Sequence, residues 1–217
     1  KFKESKIMQL RAPSYPLITI DPYFSVWSPA DIPTDVNTTH WTGRDISMSI
    51  IANIDGVSYR LVGTYNSETI PAAKCVSADC SAFSTTYQFI QSGVKLSLIF
   101  TSPVIPNDLY MLSRPVSYLE VKKELCDRSR HNVSINIMMS EEICMNHKGD
   151  DSVVVEEFSL GQISSIKMGR TIQNVLKENG DDLRIDWGYF YLSGSGLLPE
   201  GTKSLSVGVF CPEVRRL

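Results

Sequence analysis

No apolar run in the 217-residue chain approaches the roughly 18 residues that a membrane-crossing helix needs, and a helical span is thereby excluded. Basic residues are not in excess: 21 Lys and Arg stand against 24 Asp and Glu, giving a net charge of −3. They are scattered, and Arg215-Arg216 is too short a run to hold a polyanion, which argues against nucleic acid or an anionic membrane surface as the partner. The five cysteines, Cys75, Cys80, Cys126, Cys144 and Cys211, include no CxxC pair. Neither a zinc site nor a complete disulfide framework is indicated, and buried free thiols are the simpler expectation beside a small Cys75–Cys80 bridge.

Catalytic signatures are equally sparse. The chain holds no Gly-x-Ser-x-Gly elbow and no His-Glu-x-x-His. Ser-x-x-Lys spacing occurs at Ser92–Lys95 and Ser164–Lys167, but both copies fall in hairpin sequences, where residues three apart point to opposite faces of a strand. The three histidines, His40, His131 and His147, lie far apart, and His40 could join Asp31 and Asp35 around a metal only if its loop doubled back. The reading is therefore no catalytic residue, no metal and no cofactor within these residues.

What the chain does have is a globular composition, 42% hydrophobic and 21% charged, enough to bury a sizeable core. Its residues alternate with a period of two. Asp55-Gly56 separates Ile46–Ala52 from Val57–Leu61, the strongest hairpin signal in the chain. Ser92-Gly93 separates Phe83–Phe89 from Val94–Phe100, and Gly161-Gln162 separates Val153–Leu160 from Ile163–Met168. Further extended runs are expected at Val116–Val121, Asn132–Met139, Arg184–Leu192 and Leu205–Cys211, with polar turns at Asn146–Asp151 and Asn179–Asp182. Only Thr171–Asn179 reads as a short helix. Strands at this spacing predict an all-β, antiparallel β-sandwich, supersandwich-like, with at most one or two short helices, as a single region over 1–217 and a sub-boundary near 71–80.

One stretch, Pro13–Gly43, concentrates the costly residues: Trp27, Trp41, His40 and three aspartates, Asp21, Asp31 and Asp35. Indole, imidazole and carboxylate groups need partners once desolvated, so this stretch reads as a functional face. Phe24, Val26, Phe190 and Leu192 suit a core. The alternating set, Tyr23, Trp27, Tyr189 and Tyr191, suits an interface or a ligand as well as it suits burial. Asp21, Asp31, Asp35 and Asp186 beside aromatics could be paired carboxylates of glycoside cleavage or ordinary turn residues.

The stretch TIDPYFSVWSPADIPTDVNTTHWTG, followed by DGVSYRLVG, FTSPVIPNDLYMLSRPVSYLEV and IDWGYFYLSG, resembles the amino-terminal region of glutaminase A-like proteins, in the same order through nearly the whole chain. The resemblance implies an all-β portion, inactive alone, that precedes and packs on a larger C-terminal α-helical catalytic domain of the same polypeptide. That domain is similar to the α/α toroids of several glycoside hydrolase families. A secreted, periplasmic or cell-envelope protein is also implied, and Lys1 at the start, ahead of the first methionine, Met8, reads as a processed or engineered end. Carried over as family features without a catalytic duty are Asp21, Tyr23, Trp27, His40, Trp41, Asp186, Trp187 and Gly188. With Asp35 in place of Gly188, the same residues form the expected domain-interface or ligand rim, touching glutamine or a glycan. The alternative from another class is a carbohydrate-binding module or accessory sandwich of a glycoside hydrolase-like enzyme.

Overall fold

The computed structural model describes residues 12–147, 152–161, 163–195 and 202–210. The last of these segments is described by its backbone. Lys148–Asp151, Cys211 and Arg215-Arg216 lie outside the described residues.

Two of the turns show why the chain folds back where it does. Asp55 and Gly56 both have positive φ, 52° and 88°, and so do Ser92 and Gly93, 48° and 74°. That pair of conformations matches the right-handed twist of the strands on either side. The first turn joins β3 (Met48–Ile54) to β4 (Val57–Val62), and the second joins β6 (Ser84–Gln91) to β7 (Val94–Thr101). An earlier hairpin, β1 (Tyr15–Asp21) and β2 (Phe24–Ser28), turns at Asp21, whose Oδ1 accepts the amides of Tyr23 and Phe24 at 2.7 and 3.0 Å.

β5 (Lys74–Cys80) and β8 (Tyr118–Leu125) flank β6 and β7 in one antiparallel four-stranded sheet. The second four-stranded sheet has β4 and β3 beside β9 (Val133–Ser140), and on the far side of β9 lies β13 (Thr202–Phe210). A three-stranded sheet comprises β10 (Val153–Leu160), β11 (Ile163–Arg170) and β12 (Phe190–Ser195). The fold is all-β and sandwich-like. Pairing between these strands is antiparallel except between β13 and β9, which run parallel, and an isolated parallel bridge joins Arg60 to Ala72.

Strand alternation sets the core. Tyr87 and Phe89 of β6, Leu96, Leu98 and Phe100 of β7, Ile50 and Ile54 of β3, and Val133, Ile135 and Ile137 of β9 share one buried cluster. Tyr15 and Leu17 of β1 and Met168 of β11 join it, so that the first hairpin and the three-stranded sheet bury their apolar faces against the same mass. Each fully buried Leu, Ile or Phe contributes about 1.5–3 kcal/mol relative to exposure.

The expected helix at Thr171–Asn179 is absent; that segment is turns and irregular chain, and Ile172, Val175 and Leu176 are exposed rather than a packed face. The α-helix described is α1 (Leu109–Leu112), capped by Asp108, whose Oδ1 accepts the Met111 amide at 3.0 Å. A 3₁₀ turn covers Glu141–Cys144. The extended run expected over Arg184–Leu192 begins as a strand only at Phe190. Its first residues spend their hydrogen bonds elsewhere: the Arg184 amide on Asn146 Oδ1 and the Ile185 amide on the Tyr23 carbonyl.

Candidate functional site

The Pro13–Gly43 stretch folds into the first hairpin and a loop that returns over it. Trp27 and Thr39 exchange both backbone hydrogen bonds, at 2.7 and 2.9 Å, which brings the His40-Trp41 end of the loop back beside the Asp21-Pro22 turn. The loop is also tied from below by Arg60. Its buried guanidinium donates to the carbonyls of Thr34, Gly63 and Ile70 at 2.8–2.9 Å. Gly63, at φ +79°, takes a conformation that L side chains avoid, and a Cβ there would press on the Met48 carbonyl oxygen.

His40 is 1% exposed, and its ring is fixed at both nitrogens. Nε2 lies 3.0 Å from the Pro22 carbonyl, and Nδ1 lies 2.9 Å from the Thr42 hydroxyl and takes the Thr42 amide at 3.4 Å. A carbonyl only accepts, so Nε2 carries the proton and Nδ1 is the acceptor. Burial holds the imidazole below its ordinary pKa of 6.5, against the opposing pull of the Pro22 carbonyl, which agrees with a neutral ring. Trp41 donates its indole N–H to the same Pro22 oxygen at 2.6 Å while remaining 55% exposed. Its ring lies 5.7 Å from that of His40, centroid to centroid, tilted by 45°.

Beside these groups runs an open groove of about 480 Å³ lined by Thr19, Ile20, Asp21, Pro22, Ser25, Trp27 and Trp41. Two polar atoms of its lining residues, Trp27 Nε1 and Ser25 Oγ, are shut off from solvent without a hydrogen-bond partner among the described residues. Each such group costs about 1–3 kcal/mol. Asp21 uses Oδ1 on the turn amides, and its side chain is exposed.

The remaining candidates divide. Tyr23 is exposed near Trp41's anchor, and Tyr189 and Tyr191 are half exposed, whereas Phe24, Phe190 and Leu192 pack against the core, with Phe24 and Phe190 stacked at 6.4 Å. Asp186 is buried and paired with Arg170. Trp187 is half-buried and does not line the groove, and Asp35 is exposed in the loop's outer turn. Asp31 accepts the Tyr15 hydroxyl at 3.0 Å. Of the expected rim, the fold thus gathers Asp21, Trp27 and Trp41 around one groove with His40 beneath it.

Sequence reasoning passed over the charged frame beside His40. Arg44 pairs with Asp182 at 2.6 Å and lies 3.0 Å from His147 Nδ1; Arg184 pairs with Asp182 at 3.1 Å and bonds to the Asn146 carbonyl. The Thr42 hydroxyl, then the Arg184 and Arg44 guanidiniums, hold the Asp182 carboxyl below its usual range. Arg44 lies more than a hundred positions from both Asp182 and His147, and Arg184 lies 38 from Asn146, so no local pattern announces the frame. Elsewhere, Lys95 is committed to Glu124 and Lys167 to Glu156, with the Ser92 hydroxyl on Tyr59. Cys75, Cys80, Cys126 and Cys144 are free, and only Cys144 is buried.

Fold and groove together define an all-β protein with a preorganised aromatic surface. The chain belongs to the family described as "Domain of unknown function (DUF5127)", which matches residues 83–209; residues 1–73 match a second family, "Domain of unknown function (DUF4964)". The two matched segments share one core, as the contact of Tyr15 with Tyr87 at 5.8 Å shows. Among curated proteins the chain is similar to Glutaminase A of Aspergillus oryzae, 24% identical over 83% of this chain and 27% of that protein. It is also similar to a Probable glutaminase of Arthroderma benhamiae, 25% identical over 87% of this chain and 23% of that protein. The chain thus spans about a quarter of the length of these relatives. No solved structure matches.

Proposed function

We propose that these residues form the noncatalytic β-sandwich region of a glutaminase-like amidohydrolase, docking a C-terminal helical catalytic domain and setting the Trp27–Trp41 loop at the rim of its active site. The observation that carries this reading is α1. None of its four residues is buried, with Leu109 at 76% and Tyr110 at 70% exposed, and one turn of helix with that much uncovered apolar surface gains little from forming alone. Val104, Ile105 and Val116 are exposed on the same connection, and Leu160, Ile163 and Tyr191 are exposed on the three-stranded sheet. Apolar surface in this amount is the mark of an interface, and relatives about four times as long supply a natural occupant.

Secretion or residence in the cell envelope belongs to the same proposal. The test is twofold. The purified 217-residue chain releases no ammonia from glutamine; turnover that survives repurification overturns the noncatalytic assignment. In the longer gene product, hydrogen exchange of residues 104–116 is slower than in this chain alone, and equal exchange in both overturns the docking.

A further inference from the structure

The connection that carries α1 and the groove beside Trp41 lie on one end of the sandwich. The Thr19 amide donates to the Ser102 hydroxyl at 3.1 Å, and the Ser102 and Ser117 hydroxyls are 3.2 Å apart. Both ends of the 103–116 segment are thereby pinned beside a residue that lines the groove. The second sheet arrives at the same place. Phe210 of β13 is in register with Ser140, whose amide donates to the Ser47 carbonyl at 2.9 Å, and the neighbouring Ile46 amide bonds the Thr38 carbonyl of the Trp41 loop at 3.0 Å. β13 therefore runs toward the end that carries α1 and Trp41. In the relatives, about four times as long as this chain, more polypeptide is available to cover it.

The polar atoms around the groove are committed or closed. The Trp41 N–H and His40 Nε2 both meet the Pro22 carbonyl, and Trp27 Nε1 and Ser25 Oγ are shut off from solvent. What remains open to an occupant is largely the apolar surface of Ile20, Pro22 and Trp41, with Asp21 as the one charged lining residue. We propose that a large apolar side chain, presented by a helix of the following part of the same polypeptide, seats in this groove while a Lys or Arg beside it meets the Asp21 carboxylate. Trp41 is the anchor of that contact. It is 55% exposed yet held at its N–H, so covering it buries much indole surface for little loss of side-chain freedom. The direction of β13 favours the same polypeptide over a second copy, because a tethered segment is already at high effective concentration. The inference rests on the docking reading and adds the groove to α1 as a second part of one interface, which is how the Trp27–Trp41 loop is held in place against the helical domain.

The test is hydroxyl-radical footprinting of this chain and of the longer gene product, read residue by residue by mass spectrometry. Leu125, exposed at the opposite end of its sheet from Tyr118, is the internal reference. Labelling of Trp41, Leu109 and Tyr110 is expected to be about fivefold lower in the longer protein, since a packed interface excludes water from its anchors. Protection of Leu109 and Tyr110 with Trp41 unchanged overturns the groove contact and leaves the docking reading standing. Protection of none of the three overturns both. Trp41 protection that grows with the concentration of this chain alone makes a second copy the occupant and overturns the proposal. In the longer protein, Trp41→Ala, shown by circular dichroism to be folded, is expected to raise the labelling of Leu109 and Tyr110 about threefold or more as the shared interface loses its anchor. Unchanged labelling of that pair overturns the role given to Trp41.

Discussion

The imidazole of His40 and the indole of Trp41 converge on one acceptor, the carbonyl oxygen of Pro22, at 3.0 and 2.6 Å. One residue is sealed and the other exposed, so the buried ring fixes the turn from which the exposed ring hangs. His40→Ala removes a buried hydrogen-bonding ring and leaves a cavity; the expected loss is about 2–4 kcal/mol in urea unfolding. Trp41→Phe, at the surface, costs about 1 kcal/mol or less. Equal losses would show that the two do not divide the work in this way.

His40 also gives the stability a pH dependence. Its folded pKa lies below the ordinary 6.5, so between the two values the unfolded chain binds more protons. Its contribution is complete above about pH 6.5 and declines as the pH falls toward the folded value. An NMR titration of the His40 ring resonances is expected to give a pKa below 6.5, and one above 6.5 contradicts the buried neutral tautomer.

His131 has the opposite sign. It bridges two carboxylates, with Asp55 Oδ2 at 2.6 Å from Nδ1 and Asp127 Oδ1 at 3.1 Å from Nε2, and so ties the β3–β4 turn to the chain after β8. Asp55 first, then Asp127, raise its pKa above 6.5, and both carboxyls are held below 3.8. The stabilisation from His131 is fully present below about pH 6.5 and is lost as the pH rises through its raised folded pKa. That from the carboxylates is present above about pH 3.9 and is lost as the pH falls through their depressed values. Asp55→Asn is expected to lower the His131 pKa more than Asp127→Asn does, read from the ring resonances. The reverse order would displace Asp55 as the principal partner.

Arg60 holds three backbone carbonyls that no point charge can span together. Arg60→Lys is expected to lower stability by about 2–4 kcal/mol, seen as a lower urea midpoint at unchanged slope. A loss below about 0.5 kcal/mol would mean that the loop over residues 33–37 does not depend on it.

Burial pushes the Cys144 thiol up to about 12. In a Cys211→Ser background, a thiol reagent at pH 8 is expected to label the exposed Cys80 and Cys126 in the native protein and Cys144 only after denaturant is added. Native labelling of Cys144 at the rate of Cys126 would contradict its burial under Met168, whose carbonyl its Sγ meets at 3.4 Å.

Much of this was legible in the amino-acid order. Asp55-Gly56 and Ser92-Gly93 announced their hairpins because positive φ at both central positions is a local demand. Alternation placed Phe24, Val26, Phe190 and Leu192 with the core, since neighbouring strand residues point to opposite faces, but it did not announce that Ser25, beside Val26, is buried as well. Thr171–Asn179 misled because a helical spacing of three apolar residues has little force where they are not buried, and Ile172, Val175 and Leu176 all stay more than half exposed. The helix that formed instead, α1, rests on an Asp108 cap just after Pro106-Asn107, which reads equally well as a break.

Residue order alone determined the strand content, the turn positions and the crowding of indole, imidazole and carboxylate groups near the start, because each follows from backbone preference and side-chain chemistry over a few positions. Tertiary structure decided that β13 runs parallel to β9, that Asp186 answers to Arg170, and that Trp27 and Trp41 share a groove while Trp187 does not line it. Those outcomes join residues separated by up to tens of positions, and they depend on which faces meet when the sheets bury a common core.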